Sequence, residues 1–83
     1  MAIKIIGPRK VQVTRVGVAL FNAQWPCSKL SSERCYWFEF DENRDLVDTD
    51  VPEHSDGPEA KAMADDALSF LLGDVPDWAM CAQ

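Results

Sequence analysis

The sequence holds little of what catalysis needs. There is one histidine, His54, only four glycines, and no Cys-x-x-Cys spacing. A lone histidine cannot build a His-based metal site. No glycine-rich phosphate loop and no Ser-centred elbow is present, which removes the common nucleotide-binding and hydrolase motifs. His54 lies beside Glu53 and Asp56 in a polar linker. A Cys35–His54 pair would lack a third orienting group and an oxyanion-hole signal. The residues therefore read as no enzyme, no cofactor and no metal. Long hydrophobic runs are missing too. The opening MAIKIIGPRK is interrupted by Lys4 and by Gly7-Pro8, so neither a signal peptide nor a membrane span is expected. Three cysteines, Cys27, Cys35 and Cys81, cannot all pair within one chain. Free thiols in a reducing, cytoplasmic setting are the simpler expectation, with a Cys27–Cys35 bridge as the alternative.

What is present is an aromatic-bearing chain of 83 residues with formal net charge −6. Its length suits one domain spanning 1–83, with a modest core and no large enclosed site. Neither repeats nor low-complexity segments divide it. The charge is split along the chain. Residues 1–38 carry six basic side chains against Glu33, whereas residues 39–83 carry thirteen acidic ones against Arg44 and Lys61. Either this asymmetry marks partner-facing surface or it cancels when the halves fold together, since sequence halves are not faces.

The most informative stretch is YWFEFDENRDLVDTDV, Tyr36 to Val51. Alternation puts Tyr36, Phe38 and Phe40 on one side of a first arm, and Val47, Thr49 and Val51 on one side of a second. Pairing Phe40 with Val47, Phe38 with Thr49 and Tyr36 with Val51 unites the apolar faces and leaves Glu42-Asn43-Arg44-Asp45 as a four-residue loop. The opposite face then sets Glu39 against Asp48 and Trp37 against Asp50. Like charges directly across a ladder weaken it, so this face is a candidate for function.

The remaining segments complete the fold. Ala2 to Ile6 reads as a strand, and Gly7-Pro8-Arg9-Lys10 as a turn. Val-rich Val11 to Phe21 reads as a second, longer strand whose phase changes midway. A bulge near Thr14-Arg15, an irregularity at Gly17, or burial on both faces would each account for that change. Asn22 to Glu33 reads as a loop, with Trp25 folding back on the sheet edge. Pro58 to Leu72 reads as a helix with an Asp56–Glu59 capping box, Pro58 in its first turn and Gly73 at its end. Its buried stripe is Ala60, Met63, Ala64, Ala67, Leu68 and Leu71. A last turn is expected over 75–80, with Trp78 against the core. The predicted class is α+β: an antiparallel sheet of three to four strands with one C-terminal helix on one face, in the order β-β-β-β-α.

Two chemistries compete for the acidic run. Asp41, Asn43 and Asp45 fit the first, third and fifth positions of a calcium loop. However, Leu46 stands where the loop needs Gly, and Pro52 where it needs a bidentate Glu. A phosphate-mimicking surface fits better. Trp37, Glu39, Asp41, Glu42, Asp45, Asp48 and Asp50 form a candidate partner-binding set whose spaced carboxylates can compete for a basic groove made for nucleic acid. The simpler alternative is an acidic surface that keeps a small protein soluble. The basic residues Arg9, Lys10 and Arg15 accompany no nucleic-acid-binding motif, and read as solvated strand edges rather than a direct nucleic-acid contact.

In size, acidity, reduced cysteines and β-rich architecture with one helix and no catalytic motif, the chain resembles the phage-encoded anti-CRISPR inhibitors. The resemblance spans the whole chain and carries no residue motif. It implies a stoichiometric, non-enzymatic protein in the host cytoplasm that binds a CRISPR effector or a similar complex at a basic nucleic-acid groove. A different class, a small structural or accessory subunit of a phage or bacterial complex held through Trp25, Trp37 and Trp78, is the alternative.

Overall fold

The computed structural model describes residues 1–80, so Cys81 and its pairing lie outside the described residues. Four strands form one antiparallel sheet in the order β1-β2-β3-β4: β1 (Ile3–Gly7), β2 (Lys10–Val13), β3 (Tyr36–Phe40) and β4 (Leu46–Thr49). The α+β class and the antiparallel sheet agree with the sequence reading. The single C-terminal helix does not. Three helices are present among the described residues: α1 (Arg15–Gln24), α2 (Pro58–Leu71) and α3 (Asp77–Met80).

Helix α1 occupies the segment expected to continue the second strand. Thr14 ends that strand. Its backbone N–H donates to the Ala2 carbonyl at 2.9 Å, and its hydroxyl accepts from Gly17 N–H at 3.3 Å as an N-cap. The phase change at Thr14 is therefore a helix start, not a bulge. Gly17, Val18 and Phe21 then fall on one buried face at helical spacing. The valines favour strand intrinsically, but capping and burial override that preference.

The two central strands alternate cleanly. Val11 and Val13 of β2, and Tyr36, Phe38 and Phe40 of β3, are buried, while Lys10, Gln12, Trp37 and Glu39 between them are half-exposed. The buried face packs in one cluster with Val18, Phe21, Met63, Ala64, Ala67 and Trp78. The helices thus cover one sheet face and leave the other open, as expected for a one-sided sheet. The edge strands β1 and β4 are mostly exposed.

Of two predicted tryptophan contacts, one changes partner and one holds. Trp25 stacks on Phe21 of α1 at 5.8 Å, not on the sheet edge. Trp78 is buried, with its ring edge-on to Phe21 at 5.6 Å and its indole N–H donating to Asp66 at 2.8 Å. At α2 the expected capping box does not form. Gly57, not Asp56, is the N-cap and makes no side-chain bond, while Pro58 begins the helix. Asp56 is instead held in the preceding turn, its N–H donating to the Glu53 carbonyl at 3.1 Å. The helix end follows prediction. Gly73 has φ +103°, and Gly73 N–H to Phe70 O at 3.1 Å with Asp74 N–H to Ser69 O at 2.8 Å close a Schellman motif.

Candidate functional site

The candidate site is the β3–β4 hairpin. Its observed register pairs Phe38 with Thr49 and Glu39 with Asp48, as alternation predicts, but Phe40 with Leu46 in place of Val47. The loop is one residue shorter than expected, and an extra residue in β4, Val47, between the Glu39–Asp48 and Phe40–Leu46 pairs, takes up the difference. Asp41 N–H donates to the Asp45 carbonyl at 2.9 Å, and Arg44 adopts φ 69°. A turn ending in a left-handed residue makes a three-residue loop with an adjoining bulge, not the four-residue loop expected. One Asp41 carboxylate oxygen accepts the N–H groups of Asn43 at 2.8 Å and Asp45 at 2.9 Å. The first position of the imagined calcium loop therefore serves as a turn clamp. Among the described residues no three His, Cys, Asp or Glu side chains gather as a metal cluster.

The far end of the hairpin also departs from prediction. Strand β4 stops at Thr49, and Val51 does not pair with Tyr36. Side chains replace the missing ladder bonds at Trp37. The Thr49 hydroxyl donates to the Trp37 carbonyl at 2.8 Å, and an Asp50 carboxylate oxygen accepts the Trp37 N–H at 2.9 Å. The other Asp50 oxygen pairs with Arg34 at 2.8 Å. With both backbone groups of Trp37 satisfied, the chain can leave the sheet without a buried orphan.

The seven candidates thus divide by role. Asp41 and Asp50 hold backbone and are committed to the fold. Trp37 is half-buried beneath the Lys10 ammonium, 4.1 Å from its ring centroid, a cation–π contact. Glu39 and Asp48 lie directly opposite each other on the open face. Asp48 is exposed and accepts its neighbour Thr49 N–H at 2.9 Å. Glu42 and Asp45 stand exposed at the tip. Arg44, the one cation of this stretch, lines two shallow depressions between the hairpin and α2, about 350 and 290 Å³, with Phe40 and Leu68. It therefore sits on the helix side of the sheet, together with Glu42 in the larger depression and Asp45 in the smaller.

Two residues outside the predicted set shape the site. Lys10 lies across from Glu39 on β2, so Glu39 has a cation on one flank and Asp48 on the other. Arg34 anchors Asp50 from sixteen residues away. Neither was visible from hairpin alternation, because Lys10 reaches Glu39 only through the β2–β3 register. The charge split of the sequence therefore survives as a gradient across the open face, from Lys4 and Lys10 on β1–β2 to Glu39 and Asp48 on β3–β4. Cys35 is half-buried, His54 is exposed, and no hydrogen bond joins them. Among the described residues no helix is long and apolar enough to cross a membrane. Compared with protein-family models, curated proteins and solved structures, the chain matches none.

Proposed function

We propose that this chain is a non-enzymatic inhibitor that binds a nucleic-acid-handling complex, of the CRISPR-effector kind by resemblance, and blocks its nucleic-acid site from the cytoplasm of the host cell. The observation that supports this is the Glu39–Asp48 pair. Two carboxylates stand in register across an antiparallel ladder on the open face, and Glu42 and Asp45 are exposed at the hairpin tip beside Arg44. Such pairing works against the sheet, and the spacing of acids on a rigid hairpin suits a groove lined for phosphates. The binding set is accordingly Glu39, Glu42, Asp45 and Asp48, with Asp41, Asp50 and Trp37 supporting it.

The test is association kinetics with purified effector complexes at low and high salt. Glu39→Gln/Asp48→Asn retains shape and hydrogen bonding and removes two charges. Slower association and a flatter salt dependence are expected, with stability held or raised. An association rate unchanged from wild type refutes the mimic. The accessory-subunit reading loses much of its aromatic interface, since Trp78 is buried in the core and Trp37 lies half-buried under Lys10. Trp25→Ala is its remaining aromatic test: selective loss of binding there, with the acid pair silent, would favour it.

A further inference from the structure

The two edges of the sheet are complementary to each other. Neither β1 nor β4 has a second strand neighbour among the described residues. Both expose large apolar side chains: Ile5 and Ile6 on β1 at 53% and 44%, Leu46 and Val47 on β4 at 45% and 56%. Unpaired apolar edges are templates for adding a strand. Their charges are opposite, Lys4 on β1 and Asp48 on β4, and both side chains lie on the open face through their pairing with Gln12 and Glu39.

We infer that the chain self-associates head to tail, with β1 of one copy adding antiparallel to β4 of the next. This continues the up-down alternation of the sheet and keeps the helices of both copies on the same side. Placing Lys4 opposite Asp48 of the second copy sets Ile3 against Thr49 and Ile5 against Val47. The Lys4–Asp48 and Ile3–Thr49 pairs are then face-matched: Lys4 and Asp48 lie on the open face, while Ile3 through Val13 and Thr49 through Phe38 belong to the helix side. Val47 is the unpaired residue of the β4 irregularity and meets Ile5 at the end of the regular stretch. Symmetric pairings lack this match. A β4–β4 contact brings Asp48 and the acidic tip toward their own copies, and a β1–β1 contact gathers lysines with no acid. The union is short, because register irregularities at Ile5/Gly7 and Glu39/Phe40 bound the regular stretches. It is therefore weak, and because the two surfaces differ it does not close into a dimer. Sheet twist of roughly 20–25° per strand turns each added copy relative to the last.

The experiment uses the isolated chain with no partner, so its outcome is independent of the inhibitor reading. Sedimentation velocity from about 10 µM to about 1 mM covers weak association. Wild type should show a weight-average mass that keeps rising with concentration and passes that of a dimer. Lys4→Asp and Asp48→Lys each place like charges across the junction and should weaken association on the order of tenfold. Both positions are exposed, so neither variant should melt below wild type, and Asp48→Lys, which puts an opposite charge across from Glu39, should melt at or above it. Mixing the two variants makes every junction an opposite-charge one and should restore association, as should the double variant alone. Monomeric wild type at the highest concentration, a mass that levels off at a dimer, single variants that associate like wild type, or a mixture that stays monomeric would each overturn the inference.

Discussion

A methyl group at position 17 would have no room. Gly17 begins the buried face of α1 where the helix crosses the start of the chain. A Cβ there would overlap the Ala2 carbonyl oxygen and sit 2.9 Å from Cγ1 of buried Val13. In an exposed helix, Gly→Ala stabilises by about 1 kcal/mol. Here that gain meets two opposing effects. The Ala2 carbonyl accepts the Thr14 N–H at 2.9 Å and the Thr14 hydroxyl at 3.1 Å, and moving it strains both bonds, about 1 kcal/mol each. Crowding Val13 adds about 1–3 kcal/mol of overpacking. Gly17→Ala should therefore destabilise by about 2–4 kcal/mol net, which for a domain of this size lowers Tm by on the order of 10 °C or more. Urea and thermal unfolding followed by far-UV circular dichroism measure it. Ala19→Gly, on the exposed side of α1, supplies the opposite control and should lose about 1 kcal/mol by propensity alone. If Gly17→Ala proves as stable as wild type, α1 does not pass β1 this closely, and the helix-for-strand assignment of residues 15–24 fails with it.

Two further substitutions separate fold from site. Trp78→Phe keeps an aromatic ring against Phe21 but removes the donor to Asp66, and should cost about 1.5–3 kcal/mol in urea unfolding, as a hydrogen bond to a charged group does; a neutral result would mean that the bond contributes nothing. Asp50→Asn retains an acceptor for the Trp37 N–H while losing the Arg34 ion pair, and should cost under about 1 kcal/mol at this part-exposed site. Asp50→Ala loses both and should cost about 1–3 kcal/mol more. Equal stability of the two Asp50 variants would show that the carboxylate does not satisfy the backbone of β3.

How far the fold could be read from residues depended on whether neighbours in sequence settled the question. The alternation of Tyr36, Phe38 and Phe40 needs only a buried face opposite a wet one, and it holds along the whole of β3. Helix α2 and its Gly73 stop are likewise local, set by an apolar stripe and a residue free to take positive φ. Residues 11–21 are the counter-example. Four valines in that run suit a strand, and the spacing of Val18 and Phe21 suits a helix. Thr14, a good N-cap placed between them, was the local signal that could have decided. What made the helix win is not local. Thr14 bonds to the first residues of the chain, and Phe21 finds its ring partner in Trp78 near the other end.

The same distinction governs the acids. Glu39 against Asp48 follows from register alone, and alternation places it. Whether a carboxylate is free to meet a partner depends on which backbone amides lack a mate, and that requires knowing where the ladder stops. Strand β4 stops at Thr49, so Trp37 N–H needs an acceptor and Asp50 becomes one. The loop tightens to three residues, so the amides of Asn43 and Asp45 converge and Asp41 takes them. Each of these acids discharges a debt of the hairpin to itself, and each would leave a donor unpaired if a partner drew it away. Glu42 and Asp45 have exposed carboxylates with no such duty; Asp48 accepts only the N–H of its neighbour Thr49, and its position across from Glu39 opposes pairing while Lys10 flanks Glu39 on the other side. The fold does not require the charge of Glu39, Glu42 and Asp45, and binding to a basic groove is the use proposed for it. That is why the neutralised Glu39–Asp48 pair, with stability expected to hold and association expected to slow, bears on function where the Asp50 variants bear only on structure.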